Sequence, residues 1–513
     1  MTRPARAFQG VDEGRLELDA VVGVLADRYT VEAGRPRTVR RRRLDTFDRR
    51  LRAAGLTLEH HSEPRARRVV LDGADGPSTD AVTGDLRWPA GAEVLRAGRV
   101  RDAVAPVAGI RALLVVSDER HSWRQLDLRD ADGKTVVRVE LDEPLAVVGG
   151  AGRVTVRALR GYDEHARRVD RLLTGLGLRP VEAGLAGLAG MPDGDDLADD
   201  VPAPVAADAP ATALLAAALS GFLAVMRANL PGVLADIDTE FLHDFRVALR
   251  RTRSTLRWGR EVLPAEFRSE WEPAFAGLGA LTTPVRDLDV YLLGLPAMSG
   301  WLVAADATDL DSFGRHLTQR RAIARQEMVD GLRSARFRRL LAGWEGALVT
   351  LGGRATGTAT GTERSTSAGV LGGRVLARAS RKVVRDGAAI GAGSPADDLH
   401  RLRGRCKELR YALEVFAPVV DPPPSRRVVA DLRGLQDVLG RFQDADVQRR
   451  ALREFAEEML TSGVPAAALL AMGELIAHLD AEQGKARREF DQAFTRFVRP
   501  SGRAPLHRPG GDT

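Results

Sequence analysis

The chain has 513 residues and a formal net charge of +6 at pH 7, and 44% of its residues are hydrophobic and 28% charged. This length favours two or three domains, and the composition is typical of globular proteins with sizeable cores. Net charge this small does not by itself indicate an anion-binding protein, and the single cysteine, Cys406, excludes disulfides within the chain and zinc sites built from cysteines.

The N-terminal residues lack the apolar core of a signal peptide, and no segment approaches the roughly 20 uncharged apolar residues of a membrane span. One cysteine favours a reducing compartment. We therefore expect a soluble, cytoplasmic protein with no membrane partner. Its oligomeric state is not predicted.

Residues 1–185 are predicted to form a β-rich α+β domain. Runs of β-branched residues, such as those at 68–71 and 153–156, predict strands separated by Gly and Asp turns. The turn at 130–133 predicts a β-hairpin, and residues 162–176 have the apolar spacing of a helix.

The segment from Leu44 to Leu58 reads Leu-Asp-Thr-Phe-Asp, then Arg-Ala-Ala-Gly-Leu-Thr-Leu after three intervening residues. In this segment, and in the order of the hairpin ending at 139–142 and the strand and helix after Val154, the chain resembles the CYTH family. The resemblance covers residues 20–180. It implies a tunnel-like barrel that processes triphosphates.

The resemblance also implies an N-terminal E-x-E-x-K strand, in which carboxylates hold a divalent metal ion and a lysine contacts the triphosphate. The nearest match is Glu17-Leu18-Asp19-Ala20-Val21, which has Val21 at the lysine position. Metal-assisted phosphoryl chemistry needs several convergent carboxylates, and a full set is not found. We predict an inactive domain with no catalytic residues, no metal site and no cofactor. The alternative is a rewired triphosphatase that uses Mg²⁺ or Mn²⁺.

Two further patterns lie in this domain. The run Arg40-Arg41-Arg42-Arg43 is either a phosphate-binding patch or a solvated edge strand, and the sequence does not decide between them. Adjacent histidines on a strand point to opposite faces, so we expect His60 and His61 to be a surface pair.

Residues 186–212, rich in Gly, Pro, Ala and Asp, are predicted to be an acidic linker, and residues 499–513 a disordered basic tail. Residues 213–498 are predicted to be all-α, with one internal repeat at 213–350 and the other at 374–498. The predicted helices are 213–230, 240–262, 267–293, 311–351, 374–387, 396–416, 426–462 and 465–497, with a Gly- and Thr-rich loop at 351–373.

The helix at 240–262 has two different faces. At about 100° per residue, one basic side chain per turn falls on a stripe about 80° wide. This first basic stripe consists of His243, Arg246, Arg250, Arg253 and Arg257. A second, mostly apolar stripe of Phe245, Leu249, Thr252 and Leu256 is suited to packing in a core.

The same pattern recurs 157 positions later. The second basic stripe consists of His400, Arg403, Lys407 and Arg410. At the same offset, Asp287-Leu-Asp289-Val reappears as Asp444-Ala-Asp446-Val. Two matched blocks at one offset indicate an internal duplication of helical hairpins. We expect the aspartates to orient basic side chains rather than to bind metal.

Residues 243–253, 284–291, 400–411 and 432–447 carry a resemblance to the CHAD domain, the conserved-histidine α-helical domain. It implies two pseudo-symmetric helical bundles around a basic channel that binds inorganic polyphosphate. Glu414 stands where the first repeat has Arg257, so we expect the first repeat to bind more strongly.

The leading hypothesis is a polyphosphate-binding protein, located at polyphosphate granules, that uses both basic stripes. The alternative is a metal-dependent inorganic triphosphatase in which the helical domain feeds substrate to the first domain. Nucleic-acid binding is disfavoured, because the stripes lack interleaved aromatic residues.

Overall fold

The structure is a computed structural model that describes residues 6–9, 18–64, 66–73, 76–145, 152–181, 205–356, 366–421 and 426–499. The chain divides into two compact units, Met1–Gly194 and Asp195–Thr513. The predicted fold class is confirmed, because a β-rich α+β unit precedes an all-α unit. Most of the predicted linker and nearly all of the predicted tail lie outside the described residues.

The first unit contains ten strands and four helices in its described part. The strands are β1 (Arg6–Gln9), β2 (Thr30–Ala33), β3 (Arg37–Asp45), β4 (Leu56–Ser62), β5 (Arg67–Gly73), β6 (Gly76–Val82), β7 (Leu114–Arg129), β8 (Thr135–Pro144), β9 (Arg153–Ala158) and β10 (Arg179–Val181). The helices are α1 (Leu18–Ala26), α2 (Arg50–Ala53), α3 (Arg99–Ala108) and α4 (Asp163–Gly175).

These strands form one antiparallel sheet in the order β10-β1-β9-β8-β7-β3-β4-β5-β6, with β2 paired to β7. One end packs its apolar side chains against α1 and α4, with Leu126, Val139 and Val169 at its centre. The other end packs against α2 and α3, around Leu58 and Val104. Because side chains alternate along a strand, the opposite face carries the polar residues.

The expectation of an E-x-E-x-K strand at residues 17–21 is wrong. Residues from Leu18 onward form α1, in which Val21 and Leu25, four residues apart, are buried on one helical face; Glu17 lies outside the described residues. The N-terminal strand is instead β1, whose Ala7 and Gln9 lie opposite residues of β9. Neither Ala7 nor Gln9 has a carboxylate that could bind a metal ion.

The expectation of a surface histidine pair is also wrong, since His60 and His61 are both buried. The indole of Trp88 donates to His60 Nδ1 at 3.1 Å on one face of β4. On the other face, His61 lies 2.8 Å from the carboxylate of Glu59. Other side chains cover both faces of β4, and the alternation of side chains along a strand does not predict this.

The described part of the second unit has nine α-helices. They are α5 (Ala211–Ala235), α6 (Thr239–Trp258), α7 (Ala265–Ser299), α8 (Asp311–Arg333), α9 (Ala335–Thr356), α10 (Ala368–Ala388), α11 (Ala396–Phe416), α12 (Arg426–Thr461) and α13 (Ala466–Val498). Hairpins α5–α6 and α7–α8 in the first repeat correspond to α10–α11 and α12–α13 in the second. Helix α9 packs against α5 and is an addition to the first repeat.

Two predicted helix boundaries are wrong. Helix α5 continues through Pro231, because Gly232 and Val233 are buried beyond it, and ends at Ala235, just before Asp236, whose φ is 54°. The single predicted stretch 311–351 is two helices, because Ser334 has an extended backbone (ψ 153°).

Helix α5 is also long and apolar enough to cross a membrane, the one such helix among the described residues. The expectation that no segment has this character is therefore wrong. Its buried residues, including Leu215, Leu219 and Met226, pack within the helical unit. Core helices of globular proteins pass the same test of length and composition.

The two repeats share a core at the ends of their longer hairpins. Leu288 and Tyr291 of α7 pack in one cluster with Ala445 and Phe455 of α12. Glu474 of α13 accepts hydrogen bonds from the backbone N–H groups of residues 303, 304 and 305, at 2.6–3.2 Å. These contacts fix one repeat against the other.

Candidate functional site

Helix α6 is anchored by its apolar face. Asp238 caps its N-terminus by accepting hydrogen bonds from the N–H groups of Glu240 and Phe241. All four residues of the predicted apolar stripe, Phe245, Leu249, Thr252 and Leu256, are buried. The first basic stripe is thereby turned away from this core.

Helix α11 is anchored in the same way, with Leu402, Cys406, Leu409 and Leu413 buried. Burial raises the pKa of the Cys406 thiol to about 12, so this residue is a core side chain and not a nucleophile.

Helices α6 and α11 meet along a line that we call the α6–α11 seam. Arg251 pairs with Glu414 at 2.6 Å, and its guanidinium lies 5.9 Å from the ring centre of Tyr411. The rings of Trp258 and Phe416 pack edge to face, with centroids 5.6 Å apart. The two repeats therefore approach each other along the helices that carry the basic stripes.

Arg250 and Lys407 occupy equivalent positions of the two repeats at this seam. Burial, followed by the charges of Arg403 and Arg250, lowers the pKa of Lys407 to about 8. Neither Arg250 nor Lys407 forms an ion pair with a described residue, and Arg250 Nε is buried without a hydrogen-bond partner among them. The charge of Asp444 opposes the shift of the Lys407 pKa only in part, so the centre of the seam has an excess of positive charge.

Arg246 is held in place by α7. Its Nη1 donates to the hydroxyls of Thr282 and Thr283, at 2.7 and 3.0 Å, and to the carbonyl of Gly279 at 3.3 Å. Burial, together with the charge of Arg250, lowers the pKa of Arg246 to about 10, although Asp287 opposes this shift.

Arg403, the equivalent of Arg246, is held by α12. It donates to the amide oxygen of Gln443 at 3.0 Å and to the carboxylate of Asp444 at 3.3 Å. Each repeat thus orients one arginine of the basic stripe from the neighbouring helix, with different partners.

Residues 217–453 match the CHAD domain family, a range that includes both basic stripes and the seam between them. The chain contains a CHAD domain. No curated protein matches the chain significantly.

Three similar solved structures align over most of their own length. The CHAD domain from the plant Ricinus communis is 22% identical, with 58% of this chain and 95% of that chain covered and a TM-score of 0.47. PptA from Streptomyces chartreusis is 21% identical, with 56% and 100% covered and a TM-score of 0.43. A Hippeastrum protein described as having a dominant triphosphatase activity is 12% identical, with 35% and 90% covered and a TM-score of 0.25.

The two histidines of the basic stripes, His243 and His400, lie in different surroundings. His400 Nε2 lies 3.2 Å from the buried carboxylate of Asp446. Asp289, the equivalent of Asp446, pairs instead with Arg321 at 2.5 Å. Burial, followed by the charge of Arg286, lowers the pKa of His243. Asp289, Asp444 and Asp446 thus orient basic groups, as expected from the sequence.

The outer residues of the stripes are exposed. Arg410 lies 3.6 Å from Glu414 and 5.1 Å from the ring centre of Tyr411, and its charge also acts on Lys407. Arg253 lies over Gly279 of α7, and Arg257 Nη2 donates to Ser254 at 3.3 Å. Among the described contacts, none joins Arg253 or Arg257 to the second stripe.

The sequence analysis missed three contributors to the seam. Arg251 lies off the basic stripe, and its role depends on Glu414 of the other repeat. Thr282 and Thr283 have no counterpart at the repeat offset, where Leu439 and Gly440 stand. Arg321 and Arg325 of α8 pair with Asp236 and are not free to bind a ligand in this arrangement.

The polar face of the first unit is where the divalent metal ion implied by the resemblance would bind. His121 lies 3.0 Å from Asp142 and 3.2 Å from Glu119. Burial opposes protonation of His121, but these two hydrogen bonds outweigh it and raise the pKa to about 9. At neutral pH the protonated ring is therefore an ion-pair partner of these two carboxylates.

The other carboxylates on this face are also neutralised. Arg41 contacts Asp142 at 2.7 Å and Glu59 at 3.8 Å. Burial alone would raise the pKa of Glu59, but His61 and Arg41 hold it well below its usual range. Among the described residues, no group of three or more His, Cys, Asp or Glu could hold a metal ion. The residues present do not fit such an ion.

The four arginines at positions 40–43 of β3 lie on two faces and have different partners. Arg41 and Arg43 lie on the polar face, near Glu59, whereas Arg40 and Arg42 pair with Asp118 on β7. Since β3 lies between β7 and β4, it is not an edge strand. These arginines form ion pairs within the sheet, so the edge-strand interpretation is wrong, whereas the phosphate-binding patch stays a prediction.

Proposed function

We propose that the CHAD domain binds inorganic polyphosphate along the α6–α11 seam. The observation that carries the proposal is the meeting of Arg250 and Lys407, one from each repeat, without a carboxylate partner among the described residues. Like charges at such a position destabilise the free protein, and a bound polyanion would remove the repulsion.

The spacing of the cations supports a linear polyanion. Side chains one turn apart on a helix are separated by about 5 Å along its axis. A chain with a charge on every phosphate unit can therefore contact successive turns. Arginine offers paired N–H donors to phosphate oxygens, and Lys407 adds a compact charge.

The residues of the proposed site have different roles. Arg250 and Lys407 contact the ligand at the centre, and Arg246 and Arg403 are held beside them by α7 and α12. Exposed Arg253, Arg257 and Arg410 contact the chain where it leaves the seam. His243 and His400 lie at the start of each stripe, where His400 is already paired with Asp446.

Retention on immobilised long-chain polyphosphate at low salt tests the proposal. We expect the intact chain to be retained, with an affinity that falls steeply as salt is added. The variant Arg250→Ala with Lys407→Ala should bind at least tenfold more weakly. The matched control is Arg336→Ala with Arg339→Ala, which removes two exposed cations of α9 and should leave binding unchanged. Failure of the unmodified chain to bind would overturn the proposal.

A further inference from the structure

Helix α10 carries a third row of cations, which is separate from the two basic stripes. Arg374, Arg378, Arg381 and Arg385 follow one another at spacings of four, three and four residues, so they share one face of the helix. All four are exposed, and the side chains of Arg374, Arg378 and Arg385 are 64%, 67% and 72% accessible. We call this the α10 arginine face.

The fold does not require these arginines. Helix α10 packs through a different set of residues, including Leu371, Leu376 and Val383, which are buried. At the repeat offset, the first repeat has small residues in place of the arginines, namely Ala217, Gly221, Ala224 and Ala228 on α5. The charged face is therefore a property of the second repeat alone.

The charge on this face is only partly compensated within the described structure. Glu261 lies 3.8 Å from Arg374 and 3.5 Å from Arg378, and Asp386 lies 2.7 Å from Arg385. Arg381 forms no ion pair with any described residue. Adjacent cations on one helix face repel one another, so an anionic partner would be favoured here.

The chain just after an acidic segment is attached to the start of this helix. The N–H groups of Ala368 and Gly369, at the start of α10, donate to the carbonyls of Ala209 and Ala207, each at 2.8 Å. Pro210 forms an isolated β-bridge with Ser367. The residues that precede this attachment contain four aspartates within six positions, Asp195, Asp196, Asp199 and Asp200.

We propose that the α10 arginine face is a docking surface for the acidic segment 195–200 of the same chain. The distance along α10 from Arg374 to Arg385 is about 16 Å, at roughly 1.5 Å per residue. Six residues of extended chain cover about 20 Å, so the aspartates can follow the arginines. The attachment at Ala207 holds the segment at a high effective concentration near the face.

Individual exposed ion pairs are weak, so docking depends on the tether and on several pairs acting together, and is sensitive to salt. The docked segment also covers cations that would otherwise attract polyanions outside the seam. This inference does not rest on the proposed function of the seam.

Crosslinking without any polyphosphate tests the proposal in the full-length chain. Leu197→Cys and Ala388→Cys place thiols in the segment and at the exposed far end of α10, and the native Cys406 is buried. With a short bismaleimide, we expect an intramolecular crosslink at low salt whose yield falls at least fivefold at high salt. Arg378→Glu with Arg381→Glu should lower the low-salt yield to the same degree.

Adding Asp195→Lys and Asp196→Lys to that charge-reversed variant should restore the crosslink, which a merely misfolded helix would not allow. Arg336→Glu with Arg339→Glu on α9 is the matched control and should leave the yield unchanged. A yield that is insensitive both to salt and to reversal of the α10 charges would overturn the proposal.

Discussion

Lys407 is a cation whose charge can change within an accessible pH range. Its pKa is lowered from 10.5 to about 8, first by burial and then by the neighbouring arginines. Between these values the unfolded chain binds a proton that the folded chain has lost. This group therefore makes the free protein more stable as pH rises from 8 towards 10.5.

Ligand binding has the opposite pH dependence, because a polyanion favours the charged form of Lys407. We expect polyphosphate affinity to be about tenfold lower at pH 9 than at pH 7, which is the effect of one pKa unit. Titration calorimetry at the two pH values measures this ratio. In Lys407→Arg the ratio should approach one, since a guanidinium stays charged. Equal pH dependence in both proteins would exclude a role for Lys407.

The limits of the sequence analysis are clearest for single residues. Arg250 and Lys407 could be assigned to one site because each lies on a helix stripe and the stripes share one offset. The pairing of Arg251 with Glu414 could not be predicted, because it depends on how the two helices cross. Glu414 was interpreted only as a lost cation, whereas it joins the repeats.

At the level of elements, the contact between α6 and α11 determines the geometry of the seam. Trp258 and Phe416 pack at the ends of these helices, and Phe416 is fully buried. This contact is separate from the core that the longer hairpins share, which includes Leu288 and Ala445.

Phe416→Ala should therefore lower the free energy of unfolding by about 3–5 kcal/mol, the usual cost of removing a buried aromatic ring. Polyphosphate affinity should fall as well, because the two stripes would no longer be held together. Denaturant titration and calorimetry measure the two effects. Leu470→Ala, at a position 71% exposed, is the control and should change stability by less than about 0.5 kcal/mol. A loss below about 1 kcal/mol for Phe416→Ala would contradict this role.

Element boundaries show why local signals misled the sequence analysis. Pro231 and Gly232 are helix-ending residues, yet α5 continues because burial of Val233 and contact with Phe241 outweigh the lost backbone hydrogen bond. The alternating acids of Glu17 and Asp19 suggested a strand, but the four-residue spacing of Val21 and Leu25 determines a helix. In both cases packing prevails over a local pattern.

At the level of the whole molecule, the two units differ in how their charges are arranged. The carboxylates on the polar sheet face are neutralised by Arg41, His61 and His121, whereas the centre of the CHAD seam has an excess of cations. The first arrangement does not fit a divalent ion. The second suits a polyanion.

We therefore expect no phosphate release from tripolyphosphate by the full-length chain, with either Mg²⁺ or Mn²⁺ supplied. A colorimetric phosphate assay over a range of pH measures this. Turnover that depends on metal and is lost in Glu59→Gln would contradict the account and would restore the triphosphatase hypothesis.

The most direct test of the central claim is an experimental structure of the full-length chain with long-chain polyphosphate. We predict phosphate density along the α6–α11 seam, within hydrogen-bonding distance of both Arg250 and Lys407. Density confined to the polar face of the sheet, with the seam empty, would contradict it.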